Sequence, residues 1–269
     1  MQNAVERAIS IMWNRYNEPL SLHEMADSAF LSRFYFSRLF RSATGTSPGR
    51  FLTAIRLHKA KNLLLETDMS VTDIAYGVGY NSLGTFISRF TRSVGISPAR
   101  YRWLAANGMP QLPRPQSSDF PSCGTISGQL TPPQIDVPFK IYVGVFDSPI
   151  VQGLPASCHV LEACGPYLLK DIPPGEWHLR AAALALDDLA TRPSTRRPLA
   201  VGAHEPVMVA PGASLTIDLT LHPANIFDLP ILVALPELDS GSPGGGTRSN
   251  RGRAQRKATP SRLVRTAKS

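Results

Sequence analysis

The chain has 269 residues, 28 Lys and Arg against 20 Asp and Glu, and three cysteines. No run of about 18 apolar residues is present, which argues against a membrane-spanning helix. The first residues lack a basic patch followed by an apolar core, so no signal peptide is read there. Three thiols (Cys123, Cys158 and Cys164) without an export signal suggest reduced cysteines and a cytoplasmic protein.

Charge is unevenly distributed. Residues 1–105 carry +6, residues 106–239 carry −6, and residues 240–269 carry +8. Two basic ends around an acidic middle suit a chain that meets a polyanion. Composition divides the chain in the same places. Residues 1–105 read as helical, with Pro19, Pro48 and Pro98 at helix boundaries. Residues 106–120 read as a Pro- and Ser-containing linker. Residues 121–238 carry short apolar runs broken by Pro and Gly, and residues 239–269 read as a disordered basic tail.

Within the helical region the sequence repeats. Ser21, Met25 and Ala26 recur as Ser70, Ile74 and Ala75, an offset of 49. Phe36, Phe40, Gly45, Ser47, Pro48, Arg50 and Phe51 recur as Phe86, Phe90, Gly95, Ser97, Pro98, Arg100 and Tyr101, an offset of 50. The single change of offset places one extra residue in the second copy's turn, so the same supersecondary unit is built twice. In the second copy Ser70 caps a helix, with Asp73 three residues on. Val71, Ile74, Ala75 and Val78 form its apolar face, and Gly77 and Gly79 mark its end. Ser82 caps the next helix, which buries Phe86 and Phe90. The first copy follows the same plan, with a turn near residues 29–31 and Ser32 capping a helix whose Phe36, Leu39 and Phe40 face inward. Short helix, tight turn and longer helix make a helix-turn-helix. Between the copies, Pro48 opens a helix reaching about Thr67, roughly 30 Å at 1.5 Å per residue. That length approaches the roughly 34–36 Å between successive major-groove faces of B-DNA.

These residues resemble the DNA-binding domain of the AraC/XylS family over about residues 3–104. Carrying the resemblance are residues 22–26, Arg38-Leu39-Phe40, Gly45-Thr46-Ser47-Pro48, Arg56-Leu57 with Ala60 and Leu63-Leu64, Asp73-Ile74-Ala75, Val78-Gly79-Tyr80, Phe86, Arg89-Phe90 and Gly95-Ile96-Ser97-Pro98 with Tyr101-Arg102. The resemblance implies a sequence-specific, non-enzymatic transcription regulator whose partners are double-stranded DNA and RNA polymerase, acting as a monomer or dimer. It places recognition helices at about residues 32–43 and 82–94. Base contacts then fall on Phe34, Ser37 and Arg38, and on Leu83, Gly84, Ile87 and Ser88. Arg38 is the leading base reader, because a guanidinium pairs bidentately with guanine. Arg33, Arg41, Thr85, Arg89 and Arg92 are expected on phosphates. The second reading face is poor in polar groups, and Ser88 stands where the family often has Arg. It is expected to use thymine methyls or DNA shape, or to add affinity alone.

In the second region, segments 139–146, 177–185, 206–209 and 214–221 read as strands of a β-sandwich, the last alternating as Leu215, Ile217, Leu219 and Leu221. Residues 165–181, with Asp171-Ile172-Pro173-Pro174-Gly175 followed by Trp177, are similar to transthyretin-like and carboxypeptidase-regulatory-like sandwiches, over about residues 122–222. Such domains are usually non-catalytic. Cys158, His159, Cys164 and His178 match no zinc spacing, so no metal or cofactor is expected. No triad or phosphate loop is legible, and Asp187-Asp188 reads as solvated surface. The expected architecture is an all-α double helix-turn-helix of about seven helices followed by an all-β sandwich. The sandwich is expected to sense a small-molecule effector or to dock a partner, and the tail to solubilise the chain or to attract phosphates.

Overall fold

A computed structural model describes residues 2–107, 122–131, 133, 135–185 and 198–235. The expected linker beyond Asn107, the Asp187-Asp188 pair and the basic tail lie outside these residues. The described residues form seven helices followed by ten strands. The helices are α1 (Gln2–Asn14), α2 (Leu22–Ser28), α3 (Arg33–Thr44), α4 (Pro48–Glu66), α5 (Val71–Gly77), α6 (Leu83–Val94) and α7 (Pro98–Asn107).

The repeat reappears as repeated end chemistry. Ser21 and Ser70 cap α2 and α5 by accepting from the backbone N–H of Glu24 at 3.2 Å and of Asp73 at 3.1 Å. Ser21 also donates its own N–H to Glu24 Oε2 at 2.8 Å, closing a capping box. Ser32 and Ser82 cap α3 and α6 through Tyr35 and Thr85. Both of these helices end on a left-handed glycine, Gly45 at φ 72° and Gly95 at φ 94°. Pro48 and Pro98 then open α4 and α7, where a missing N–H costs nothing.

Helix α4 is buried around most of its girth because it serves two cores. Leu52 and Ile55 join Val5, Ile9, Met12, Met25, Phe36 and Phe40. Ala54, Leu57, Ala60 and Leu64 join Ile74, Val78, Phe86, Phe90 and Tyr101. A helix apolar on all sides is one packed on all sides. The four phenylalanines 36, 40, 86 and 90 are fully buried, as core residues and not as base-stacking groups.

The strands are β1 (Gly124–Thr131), β2 (Phe139–Phe146), β3 (Ser157–Leu161), β4 (Pro166–Ile172), β5 (Gly175–Ala185), β6 (Ala200–Ala203), β7 (Val207–Val209), β8 (Ser214–Thr216), β9 (Leu219–Thr220) and β10 (His222–Pro223). One sheet runs β4-β1-β8 with β9 also on β1, and the other runs β10-β6-β5-β2-β3 with β7 also on β5. Ile126, Tyr167, Leu169 and Ile172 of the first meet Ile141, Val143, Leu179 and Ala183 of the second in one core, making a sandwich. The turn at residues 171–175 carries the chain from one sheet to the other. Asp171 there adopts φ 57°, and the Trp177 indole donates to Pro173 O at 2.7 Å.

The expected strand over 214–221 is broken. β8 and β9 both pair with β1, in parallel, and the chain bends between them at Ile217 and Asp218. There Ile217 O accepts the Tyr167 hydroxyl at 2.5 Å, and Asp218 Oδ1 accepts the Gln129 N–H at 2.8 Å. Gly128 makes room: a Cβ on it would lie 1.8 Å from Ile217 O. Alternation continues through the break, but the hydrogen-bond ladder does not.

Residues 226–235 form a strap between the two regions. Leu232 is buried in the second helical core, and Leu229 packs against both helical cores. Ile231, Val233 and Leu235 turn the other way, onto Ala182 and Leu184 of β5. This period-two division inserts one extended segment between a helical face and a sheet face.

Candidate nucleic-acid interface

Of the expected base-contacting positions, Phe34, Arg38, Gly84, Ile87 and Ser88 are exposed, while Ser37 and Leu83 are half-buried at the edge of the face. Phe34 leaves 87% of its surface in water. An apolar ring so placed on a helix with two buried phenylalanines contributes nothing to the core. The Arg38 guanidinium lies 5.7 Å from the Tyr35 ring centroid, which restrains it on the outer face of α3. Gly84 has no neighbour that a Cβ would press on, the nearest atom being Ser82 Oγ at 4.0 Å. Internal packing therefore does not require glycine there, although glycine inside a helix costs about 0.5–1 kcal/mol relative to alanine.

The expected phosphate-contacting residues divide. Arg33 and Thr85 stand in the first turns of α3 and α6 and are exposed. Arg89 and Arg92 are exposed farther along α6, and Arg89 lies close enough to Tyr80 to counter the rise that burial gives the tyrosine's pKa. Arg41 belongs to the last turn of α3 and faces the sandwich across a cleft, away from the helix start where Phe34 stands.

Two arginines hold the units in place, and sequence pattern alone marks them only as part of the resemblance. Arg56, on α4, donates to Tyr16 O and Glu18 O, both at 2.7 Å, and so fixes the loop that enters α2. Arg102, on α7, donates to Leu64 O at 3.0 Å, Thr67 O at 3.2 Å and Met69 O at 2.7 Å, fixing the loop that enters α5. Each is a charged fork on backbone carbonyls, worth more than neutral hydrogen bonds.

The sandwich grips the far end of α6. Gly153 N–H donates to Ser93 O at 2.7 Å, Ala234 N–H to Val94 O at 3.2 Å, and Ser93 Oγ to Gln152 Oε1 at 3.1 Å. Lys61 Nζ, on α4, donates to Val233 O at 3.2 Å. No sequence signal marks residues 226–235 for this role, because a short apolar run reads as a strand.

Among the described residues no group of three or more His, Cys, Asp or Glu side chains is placed to hold a metal, and the three cysteines are free. Burial raises the pKa of Cys158 and Cys164, which makes them poor nucleophiles. His159 and His178 lie apart in function: His159 Nδ1 accepts the Leu168 N–H at 3.3 Å, whereas His178 lines the cleft. No helix among the described residues is long and apolar enough to cross a membrane.

Comparison with known proteins bears on the helical region. A family model described as a helix-turn-helix domain matches residues 25–103. An uncharacterized HTH-type transcriptional regulator of Haemophilus influenzae is 42% identical over 81 residues, covering 30% of this chain and 27% of that protein. The melibiose operon regulatory protein of Escherichia coli is 30% identical over 101 residues, covering 38% of this chain and 33% of that protein. The chain thus spans about a third or less of these relatives' own lengths. Among solved structures, the DNA-binding domain of AdpA, a global transcriptional factor in complex with a target DNA, is 32% identical, covering 40% of this chain and 96% of that one at a TM-score of 0.38. Two copies of one unit, the shared end chemistry and the family match lead to one assignment: the helical region of this chain is an AraC-type helix-turn-helix domain.

Proposed function

We propose that this protein is a sequence-specific transcription regulator that binds double-stranded DNA by placing α3 and α6 in neighbouring major grooves. One observation carries the reading. Two capped helices of equal length present exposed faces, Phe34 and Arg38 on one and Gly84, Ile87 and Ser88 on the other, and are joined by the 19-residue α4. At 1.5 Å per residue α4 spans about 28 Å, near one turn of B-DNA. The named relatives regulate transcription, which supports the same reading.

In this reading Arg38 supplies the strongest base contact, with Phe34 and Ser37 beside it. Leu83, Gly84, Ile87 and Ser88 form a flatter, apolar face suited to thymine methyls. Arg33, Thr85, Arg89 and Arg92 position the backbone, and the basic tail adds salt-dependent attraction to phosphate. RNA polymerase is the second partner, and the sandwich is a regulatory module without catalytic activity.

Retention of fragmented genomic DNA by the purified full chain, followed by sequencing, tests this. The expected result is a small set of loci sharing a motif with two half-elements about ten base pairs apart. Uniform recovery of all fragments, with and without cell extract, overturns sequence-specific regulation in favour of DNA coating.

A further inference from the structure

One face of β5 changes character along its length. Trp177, Leu179, Ala181 and Ala183 point into the sandwich core. On the other face, Ala182 and Leu184 are covered by the strap, while Glu176, His178 and Arg180 are not. Those three form the floor of a cleft of about 1060 Å³. Its opposite wall is the C-terminal end of α3 and the start of α4, with Arg41 and Arg50. A cleft of this size matches small-molecule sites in general.

The charges of the cleft are arranged by wall. Arg180 is already used: it donates to Pro149 O at 3.1 Å and to Leu179 O and His204 O at 2.9 and 3.0 Å. Asp228 is likewise used, accepting the Asn225 N–H at 2.7 Å and standing 3.8 Å from His222 Nε2. Besides Arg180 and Asp228, which keep their charges while holding those bonds, the full charges are Arg41 and Arg50 on the helical wall and Asp147, Glu176 and Glu205 on the sandwich wall, which stays net negative. Among the described residues, Arg41 and Arg50 form no ion pair with Asp147 or Glu176. His178 lines the same cleft, within electrostatic reach of Arg180, Glu176, Asp147 and Arg50. Its Nδ1 is out of contact with solvent and has no hydrogen-bond partner. Solvent does not reach that atom, so contacts to a ligand in the cleft rest on the exposed charged side chains.

We propose that this cleft binds a small zwitterion, a molecule of the amino-acid class, with its ammonium on Asp147 and Glu176 and its carboxylate on Arg41 and Arg50. The inference rests on the DNA-binding reading only for its consequence. The sandwich holds the end of α6 directly through Ser93 and Val94, but faces the end of α3 across the cleft. A bridging ligand ties α3 to the same body as α6 and fixes the spacing of the two reading helices. Such fixing favours whichever DNA spacing matches it.

The test uses the full chain and a panel of the standard amino acids, γ-aminobutyrate and glycine betaine, with ethylamine and acetate as single-charge controls. Calorimetry without DNA reads the cleft itself. At least one zwitterion is expected to bind, the controls are not, and Glu176→Gln and Arg50→Gln are each expected to weaken binding at least about tenfold. Both side chains are exposed, so unliganded melting should be unchanged. Adding the bound zwitterion should then change affinity for the retained DNA site by about 5- to 150-fold. Silence across the panel overturns the proposal, as does equal binding of a control or binding indifferent to both substitutions. Loss of DNA specificity without any ligand refutes the DNA-binding reading and leaves the calorimetric result standing on its own.

Discussion

Phe30 and Gly79 occupy the same turn position in the two repeats, and both backbones are left-handed, at φ 58° and 85°. The turns are alike in conformation but not in surroundings. A Cβ on Gly79 would lie 3.0 Å from both Tyr16 O and Asn17 O and 3.1 Å from Arg56 Nη2. Phe30 is 83% exposed, with Arg7 5.4 Å from its ring centroid. The second unit's turn therefore seats against the first unit's entry loop, while the first unit's turn faces water. Gly79→Ala is expected to destabilise by about 2–3 kcal/mol, combining left-handed strain with close contact to backbone. Phe30→Gly relieves about 1–2 kcal/mol of strain but adds about 0.5–1 kcal/mol of chain entropy, so stability should rise by no more than about 1.5 kcal/mol. Urea melts of the two variants check the contrast. Equal effects would contradict the asymmetric seating.

Gly84 and Arg38 separate stability from recognition. Gly84→Ala adds a methyl to open space within α6, so the fold should gain about 0.5–1 kcal/mol. If DNA approaches the helix closely there, the same methyl lowers affinity for the enriched site. Arg38→Ala should leave melting within about 0.5 kcal/mol of the parent, since the side chain is exposed. It should cost about 1–3 kcal/mol of binding and relax one base position. Paired melting and binding measurements on both variants decide the matter. Equal loss on all sequences from Arg38→Ala would remove it from base reading.

Much of the helical region was legible because its rules are local. Ser21, Ser70, Ser32 and Ser82 cap, Gly45 and Gly95 terminate, Pro48 and Pro98 restart, and each does so through neighbours within a few residues. Repetition then doubled every signal. The candidate reading faces came through the family resemblance alone, since nothing local sets Phe34 or Arg38 apart from any other exposed helix position. In the sandwich the strands were visible, but not their pairing, which depends on residues far apart in sequence. The break at Ile217 needs Gly128 and Tyr167, distant in the chain, and alternation alone extends the strand through it. The strap and cleft were illegible for the same reason. Leu232 belongs to a core whose other members lie mostly before residue 105, and nothing local says so.

Tyr167 supplies a pH signature of the sandwich. Its ring is buried, its hydroxyl donates to Ile217 O, and its pKa is pushed up to about 12 by burial and by the charge of Asp218. A tyrosine that ionises near 10 when unfolded holds its proton longer when folded. Between about pH 10 and 12 the unfolded state therefore binds fewer protons, and stability falls as pH rises. The contribution is complete below pH 10 and lost through the folded pKa. Denaturant midpoints measured across this range should decline, and Tyr167→Phe should flatten part of that decline. It should also lower stability near neutral pH by about 1 kcal/mol, through loss of the bond to Ile217. A slope identical in both proteins would place the alkaline sensitivity elsewhere.

Leu232 decides whether the protein moves as one body or two. The strap is held on the helical side by this buried leucine, by the Lys61 bond to Val233 O and by the Ala234 bond to Val94 O. On the sandwich side, Leu232 and Val233 both donate to Val151 O, at 2.9 and 3.2 Å, and Ile231, Val233 and Leu235 bury against β5. Leu232→Ala should cost about 2–5 kcal/mol of the latch, as a core truncation does. Leu232→Asp should release it, since a buried unpaired carboxylate is worse than an open strap. Each region keeps a core of its own, formed largely by residues outside the strap, so release should separate the two without unfolding either. Calorimetry should then show two transitions in the aspartate variant where the parent shows one. Small-angle scattering should report a larger radius of gyration. DNA that binds across two rigidly spaced helices should bind the released variant more weakly only to the extent that the sandwich sets that spacing. A single transition at a lower temperature would mean instead that the strap is part of one cooperative core, and that no hinge exists to be regulated.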